Sequence, residues 1–161
     1  MKKLNFKLMN KQYEYLKKEN INNVFINEND VTEILTKYGL DININNIDIY
    51  RQAFIHKSYL KPTPDYNTRD KKVIPLQDNC NERLEILGDS IVGSTVVSYL
   101  YKRFPNEPEG FITKNKTKIV RGKTLGKLGK KMGFGKWVII SQHIDSENGR
   151  NRIDILEDLF E

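Results

Sequence analysis

Apolar positions along this chain recur at helical spacing. Val31, Ile34, Leu35 and Tyr38 form one stripe, predicting a helix from Asp30 that stops at Gly39, a C-terminal cap. Ile47, Tyr50, Ala53 and Phe54 form a second. From Lys61 through Asp78 come three prolines among mostly polar residues, which predicts a surface loop. A long helix follows, from about Asn81 through Val92, Thr95, Val96 and Tyr99 to near Phe104, where Pro105 stops it. The pattern resumes after Pro108, breaks at Gly122 and ends in the Gly133-Phe134-Gly135 turn. A final helix carries Ile155, Leu156, Leu159 and Phe160 on its apolar side. Residues 1–29, rich in Lys and Asn with a short helix near Gln12 to Lys18, read as a solvated or loosely docked N-terminal extension before a domain over 30–161.

The long helix opens with Asn81-Glu82-Arg83-Leu84-Glu85-Ile86-Leu87-Gly88-Asp89-Ser90. At ~100° per residue, Glu85 and Asp89 fall within roughly 60° of Glu82, while Leu84, Leu87 and Ile91 fall opposite. One side is acidic and the other is expected to face the core. Like charges this close repel unless a cation sits among them, and hard divalent ions bind through such oxygens. The last helix adds Asp158 and Glu161, three apart and so on one face. Two helices can thus pool their carboxylates around a metal.

Charge is segregated. Residues 114–136 hold nine Lys or Arg and no acid, within a chain of net charge +6. On the Lys123–Lys131 helix, Leu125, Leu128 and Met132 are the expected core stripe, leaving Lys123, Lys127, Lys130 and Lys131 outward. With Lys114, Lys116 and Arg121 these form a candidate phosphate contact that would position a polyanion's backbone without reading its sequence. Gly122-Lys123-Thr124 looks like the end of a phosphate-binding loop, but Thr117 stands where that motif needs a glycine, and nucleotide hydrolysis is dismissed. Only two histidines are present: His56 reads as a hydrogen-bonded structural residue and His143 as a surface one. The single Cys80 excludes an intramolecular disulfide. No run approaches the ~20 apolar residues of a membrane span, and no signal core follows Met1. The expected location is intracellular, cytoplasmic or nuclear.

NERLEILGDS resembles the signature of the ribonuclease III family, and ILEDLFE resembles that family's second acidic motif. Gln52-Ala53-Phe54-Ile55-His56-Lys57-Ser58-Tyr59, Tyr101-Lys102-Arg103-Phe104-Pro105 with Glu109-Gly110, and Val120 through Leu128 are similar to further stretches of the family, in family order. The resemblance implies an all-α ribonuclease III endonuclease domain, acting as a homodimer on double-stranded RNA with Mg²⁺, for which Mn²⁺ can substitute. It implies 5′-phosphate products with short 3′ overhangs. Glu85, Asp89, Asp158 and Glu161 fall on the four core acidic, catalytic positions, with Glu85 and Glu161 expected to ligate Mg²⁺ directly and Asp89 and Asp158 to ligate it or act through bound water. Glu82 and Glu109 fall on two outer positions expected to organise the second metal or the scissile strand. The position after Glu85, usually an aromatic that inserts into the partner subunit, is Ile86, and the smaller side chain points to a weaker dimer.

Because Glu161 is the last residue, a C-terminally truncated domain lacking any following double-stranded-RNA-binding domain is expected. A noncatalytic RNA-binding or scaffold protein of the same fold is the alternative, though such a protein would be expected to lose acids that this chain keeps.

Overall fold

In the computed structural model, which describes residues 18–67 and 71–161, seven α-helices and three single 3-10 turns make an all-α domain. They are α1 (Glu28–Lys37), α2 (Ile47–Ala53), α3 (Glu82–Arg103), α4 (Glu109–Val120), α5 (Gly122–Met132), α6 (Gln142–Ser146) and α7 (Ile153–Phe160). Among the described residues the only β pairings are two isolated bridges, Ile55 with Ile139 and Leu60 with Gln77.

Helix limits follow local chemistry. Asn27 and Asp30 close a reciprocal capping box, so α1 begins two residues before the predicted Asp30. Beyond its end, Gly39 takes φ +81°, which an L side chain resists. Pro105 follows directly on the Phe104 cap of α3, and Gly133 ends α5 at φ +78°.

The core centres on Trp137-Val138-Ile139-Ile140, a continuous apolar run buried throughout, whose importance the helical pattern does not convey. Such a short continuous run is the mark of a fully buried extended segment. Val138 and Ile140 join Phe54, Phe134, Ile155, Leu156 and Leu159, while Ile139 packs with Ile55, Tyr59 and Leu76. Phe54 meets Phe134 edge-on at 5.2 Å between ring centres.

Three expectations need correction. The stretch before α1 is firmly docked from Glu19 to Ile26, with Asn20 and Ile26 each 1% exposed. Asn20 and Asn23 both donate to the Ile140 carbonyl, at 3.1 and 2.9 Å. Arg150 ties this stretch down, donating to Asn23 Oδ1 at 2.9 Å and to Asp145 Oδ1 at 2.9 Å. Asp145 is held below its ordinary pKa: burial pushes it up, but hydrogen bonds from Asn20, Arg150 and Asn22 outweigh that. The helix expected near Gln12 to Lys18 falls, apart from Lys18, outside the described residues.

The proline-rich loop is anchored at its far end. Leu76 is buried, Gln77 exchanges backbone bonds with Tyr59 and Lys61, and the Tyr59 hydroxyl donates to the Ile74 carbonyl at 2.6 Å. Leu76 fills the space over Tyr59, which a purely polar surface loop would leave open.

The core stripe of α5 also differs. Leu125 is buried, but Leu128 is 39% exposed, and Gly126 and Gly129 are buried instead. These glycines let α7 lie backbone to backbone on α5: a methyl at Gly126 would overlap the Ile153 carbonyl, and one at Gly129 would crowd that of Leu156. Gly126→Ala is therefore expected to lower unfolding free energy by about 1–3 kcal/mol through overpacking. Leu128→Ala should cost less than about 1 kcal/mol. Urea denaturation of the two variants checks the ranking; equal losses would contradict the glycine contact.

Candidate metal centre

Helix α3 carries Glu82, Glu85 and Asp89; α7 carries Asp158, and Glu161 caps its C-terminal end. The two helices meet where α3 has no side chain, for a methyl on Gly88 would overlap the backbone carbonyl of Glu161. Asp158 and Glu161 are thereby brought to the acidic stripe of α3.

The arrangement of α3 departs from expectation. Its docked side runs through Leu84, Gly88, Val92, Val96 and Leu100, all buried or half-buried at i, i+4 spacing. The acids lie beside that stripe, toward α7. Leu87 and Ile91, expected in the core, are 58% and 56% exposed, and Ile86 is 70% exposed. The apolar face opposite the acids is therefore bare in the single chain.

The carboxylates act on one another through their charges. Burial raises Asp158 from 3.8 to about 6, and the charges of Glu85, Glu157 and Asp154 add to the shift, with Lys57 opposing it. Burial likewise raises Glu161 from 4.5 to about 7, helped first by Asp89, then by Glu157, Glu85 and Asp158. Glu157, whose carboxylate lies over Gly122 at the start of α5, is also raised, by burial and then by Glu85. Sequence reasoning passed over Glu157, although it precedes Asp158 directly.

Among the described residues, no three Asp, Glu, His or Cys side chains converge into a finished metal cage. Carboxylates that repel stay apart until a cation draws them in, and a partly exposed set of hard oxygen donors fits a divalent ion.

The other predicted residues are placed differently. Glu82 pairs with Lys57 at 3.0 Å on the rim of the cluster. Glu109 lies at the other end of α3. Phe104 and Phe111 stack edge-on, Lys116 lies beside Gly93, and α4 thus runs back antiparallel to α3 with Glu109 near Tyr101. There it accepts a hydrogen bond from Thr113 at 2.8 Å and lines a cavity of about 770 Å³ with Val97, Tyr101, Ile112, Lys116 and Arg121. The structure does not bring it to Glu85.

Of the basic residues, Lys114, Lys123 and Lys127 are exposed, Lys116 is half-buried in that cavity, and Arg121 donates to Thr124 Oγ1 at 3.2 Å. His56 is structural, as expected: its Nδ1 accepts from the Ser58 N–H at 3.1 Å, and burial first, then Lys57 and Arg152, lowers its pKa. His143 is exposed, beside Glu147.

Residues 46–161 match the family profile Ribonuclease-III-like. The chain belongs to the ribonuclease III family. Among similar proteins, ribonuclease 3 of Enterococcus faecalis is 36% identical over 130 residues, which are 81% of this chain and 51% of that protein. Ribonuclease 3 of Latilactobacillus sakei is 34% identical over 131 residues, covering 81% and 52%. A probable ribonuclease 3 of Acanthamoeba polyphaga mimivirus is 29% identical over 142 residues, covering 85% and 26%. The chain spans about half the length of the two bacterial relatives.

The nuclease domain of ribonuclease III from Campylobacter jejuni has the same fold. One of its structures, described as showing flexibility in a region involved in dimer formation, aligns with a TM-score of 0.66 at 24% identity, covering 83% of this chain and 79% of that one. Ribonuclease III membership and the all-α fold thus agree with the helical pattern.

The raised carboxylates make a testable sign. Both folded-state values lie above the unfolded ones, so without metal each charge costs stability as pH rises from about 4 to about 7. The isosteric pair Asp158→Asn and Glu161→Gln should therefore raise the metal-free Tm at pH 8. That gain should shrink as pH falls to 5. Thermal scans at both pH values check this; a gain independent of pH would show that the two carboxyls are not raised in the folded chain.

Proposed function

We propose that this chain is the catalytic domain of a metal-dependent endoribonuclease that cleaves double-stranded RNA. The observation that carries this is the convergence of half-buried Glu85 and exposed Asp89 on α3 with half-buried Asp158 on α7 and Glu161 at its cap, where the charges of the first two help raise the last two. These four would hold Mg²⁺, or Mn²⁺ in its place, with Glu82 at the rim. The chemistry such ions supply when bound is acidification of a water and stabilisation of the leaving oxygen in an in-line displacement.

The protein's own part is to hold the carboxylates on two helices locked together by Gly88, and to keep their charges close enough that only a cation relieves them. Lys114, Lys116, Arg121, Lys123 and Lys127 would contact RNA phosphates without reading sequence. Cleavage would leave 5′-phosphates and short 3′ overhangs. The natural setting would be RNA processing inside the cell, and among the described residues no helix is long and apolar enough to cross a membrane.

Glu161→Gln should abolish Mg²⁺-dependent cleavage of a long RNA duplex while leaving duplex binding in place. A gel assay with Mg²⁺, Ca²⁺ or chelator checks this. Retained cleavage would remove Glu161 from the site, and binding without cleavage by the wild-type chain would favour the noncatalytic alternative.

The bare face of α3 supports a homodimer. Ile86, Leu87, Ile91, Val97 and Tyr101 are exposed along this helix, an apolar stretch of a kind that soluble monomers seldom leave open. In an antiparallel isologous pairing of two α3 helices, the Glu85–Ile86 end of one copy meets the Val97–Tyr101 end of the other, where Glu109 lies. Ile86→Asp should shift the protein to monomer in equilibrium sedimentation, with helical content unchanged. A wild-type chain already monomeric at working concentration would refute the pairing.

A further inference from the structure

We propose that Lys57 receives a backbone phosphate of the RNA beside the carboxylate cluster, making it a substrate-contact residue of this site. The proposal rests on the nuclease reading above. Lys57 sits on the 3-10 turn Lys57–Tyr59, and that turn is fixed on both sides. Before it, the His56 N–H donates to the Ile139 carbonyl at 3.0 Å. After it, the Ser58 N–H donates to His56 Nδ1, Ser58 Oγ accepts from the Ser141 N–H at 3.0 Å, and Tyr59 is fully buried. Within this anchored stretch Lys57 alone is exposed.

Its ammonium lies 3.0 Å from Glu82 Oε1, and its charge acts on Asp158 and Glu85. An exposed ion pair of this kind contributes little to stability, so folding does not need the charge of Lys57. An ammonium has three donors, and Glu82 occupies one, leaving others for an incoming oxygen.

The same junction holds an unmet donor. Asn81, whose N–H is bonded to the Ile55 carbonyl at 2.9 Å, is buried with its side-chain Nδ2 unpartnered. Polyanionic RNA approaching Glu82, Glu85, Asp89, Asp158 and Glu161 meets repulsion, and Lys57 stands among these acids as a counter-charge. The lysines of α4 and α5 belong to other elements and do not replace it.

The test compares Lys57→Ala and Lys57→Arg with wild type on duplex RNA. Single-turnover cleavage in Mg²⁺ should fall about 10- to 100-fold for Lys57→Ala, with Arg restoring most of it. Binding measured in Ca²⁺ should lose about 1 from the slope of log Kd against log salt for Lys57→Ala. Its Tm should not move.

Wild-type cleavage and an unchanged salt slope in Lys57→Ala would overturn the proposal. So would a loss of activity cured by excess Mg²⁺ with the slope unchanged, since Lys57 would then act through Glu82. A wild-type chain that binds but never cleaves defeats the nuclease reading instead, and the salt slope still judges Lys57.

Discussion

Helix α7 reaches its place because glycines let backbone lie against backbone. Gly126 and Gly129 on α5 receive the carbonyls of Ile153 and Leu156, and Gly88 on α3 receives that of Glu161. Side chains at these positions would hold α7 away by the thickness of a methyl or more. The carboxylates of Asp158 and Glu161 would then stand farther from Glu85 and Asp89, and the repulsion that marks the site would fade with distance. The acidic centre is thus a consequence of close helix packing as much as of acidic residues.

Much of this was legible in the chain. Helical spacing placed α1 to α5 and α7 but not the short α6, and Pro105, Pro108 and Gly133 marked limits because each acts on its own backbone. The acidic positions were legible for the same reason, since Glu82, Glu85 and Asp89 share a helix side whatever surrounds them. What spacing could not show was which side docks. Leu87 and Ile91 read as core because apolar residues are usually buried, yet the docked stripe runs through Gly88, whose lack of a side chain is what permits contact. A hydrophobic pattern counts methyl groups and is blind to packing built on their absence. The spacing of Gly122, Gly126 and Gly129 was the available signal.

The polar interior escaped for a different reason. Asn20 and Asn23 bond the Ile140 carbonyl across more than a hundred residues, and Arg150 bridges Asn23 to Asp145. Nothing in an Asn-rich stretch distinguishes a solvated asparagine from one pairing a buried carbonyl, and the distinction matters because an unpaired buried carbonyl costs about 1–3 kcal/mol. Here the pairing carries the segment before α1 onto the Trp137–Ile140 run. Arg150 also donates to the Val138 carbonyl at 2.8 Å, and it stands two residues ahead of Arg152, the N-cap of α7. The N-terminal segment, Asp145 and the Val138 carbonyl are thereby braced on one side chain.

Two features of the isolated chain are energetically unfinished, and both lie on α3. On one side carboxylates repel; on the other, apolar side chains face water. Neither is needed to build the core, which is complete around Phe54, Trp137, Val138, Ile140 and Leu156. A small domain has only about 5–15 kcal/mol of net stability, so keeping both costs on one helix favours states in which something else relieves them. A hard cation relieves the first and a second apolar face the second. Because anything that binds only the folded form stabilises it by mass action, metal and partner would each raise stability and couple folding to assembly of the site. Helix α3 is thus shared between two surfaces, and the one-residue step from Glu85 to Ile86 passes from the first to the second.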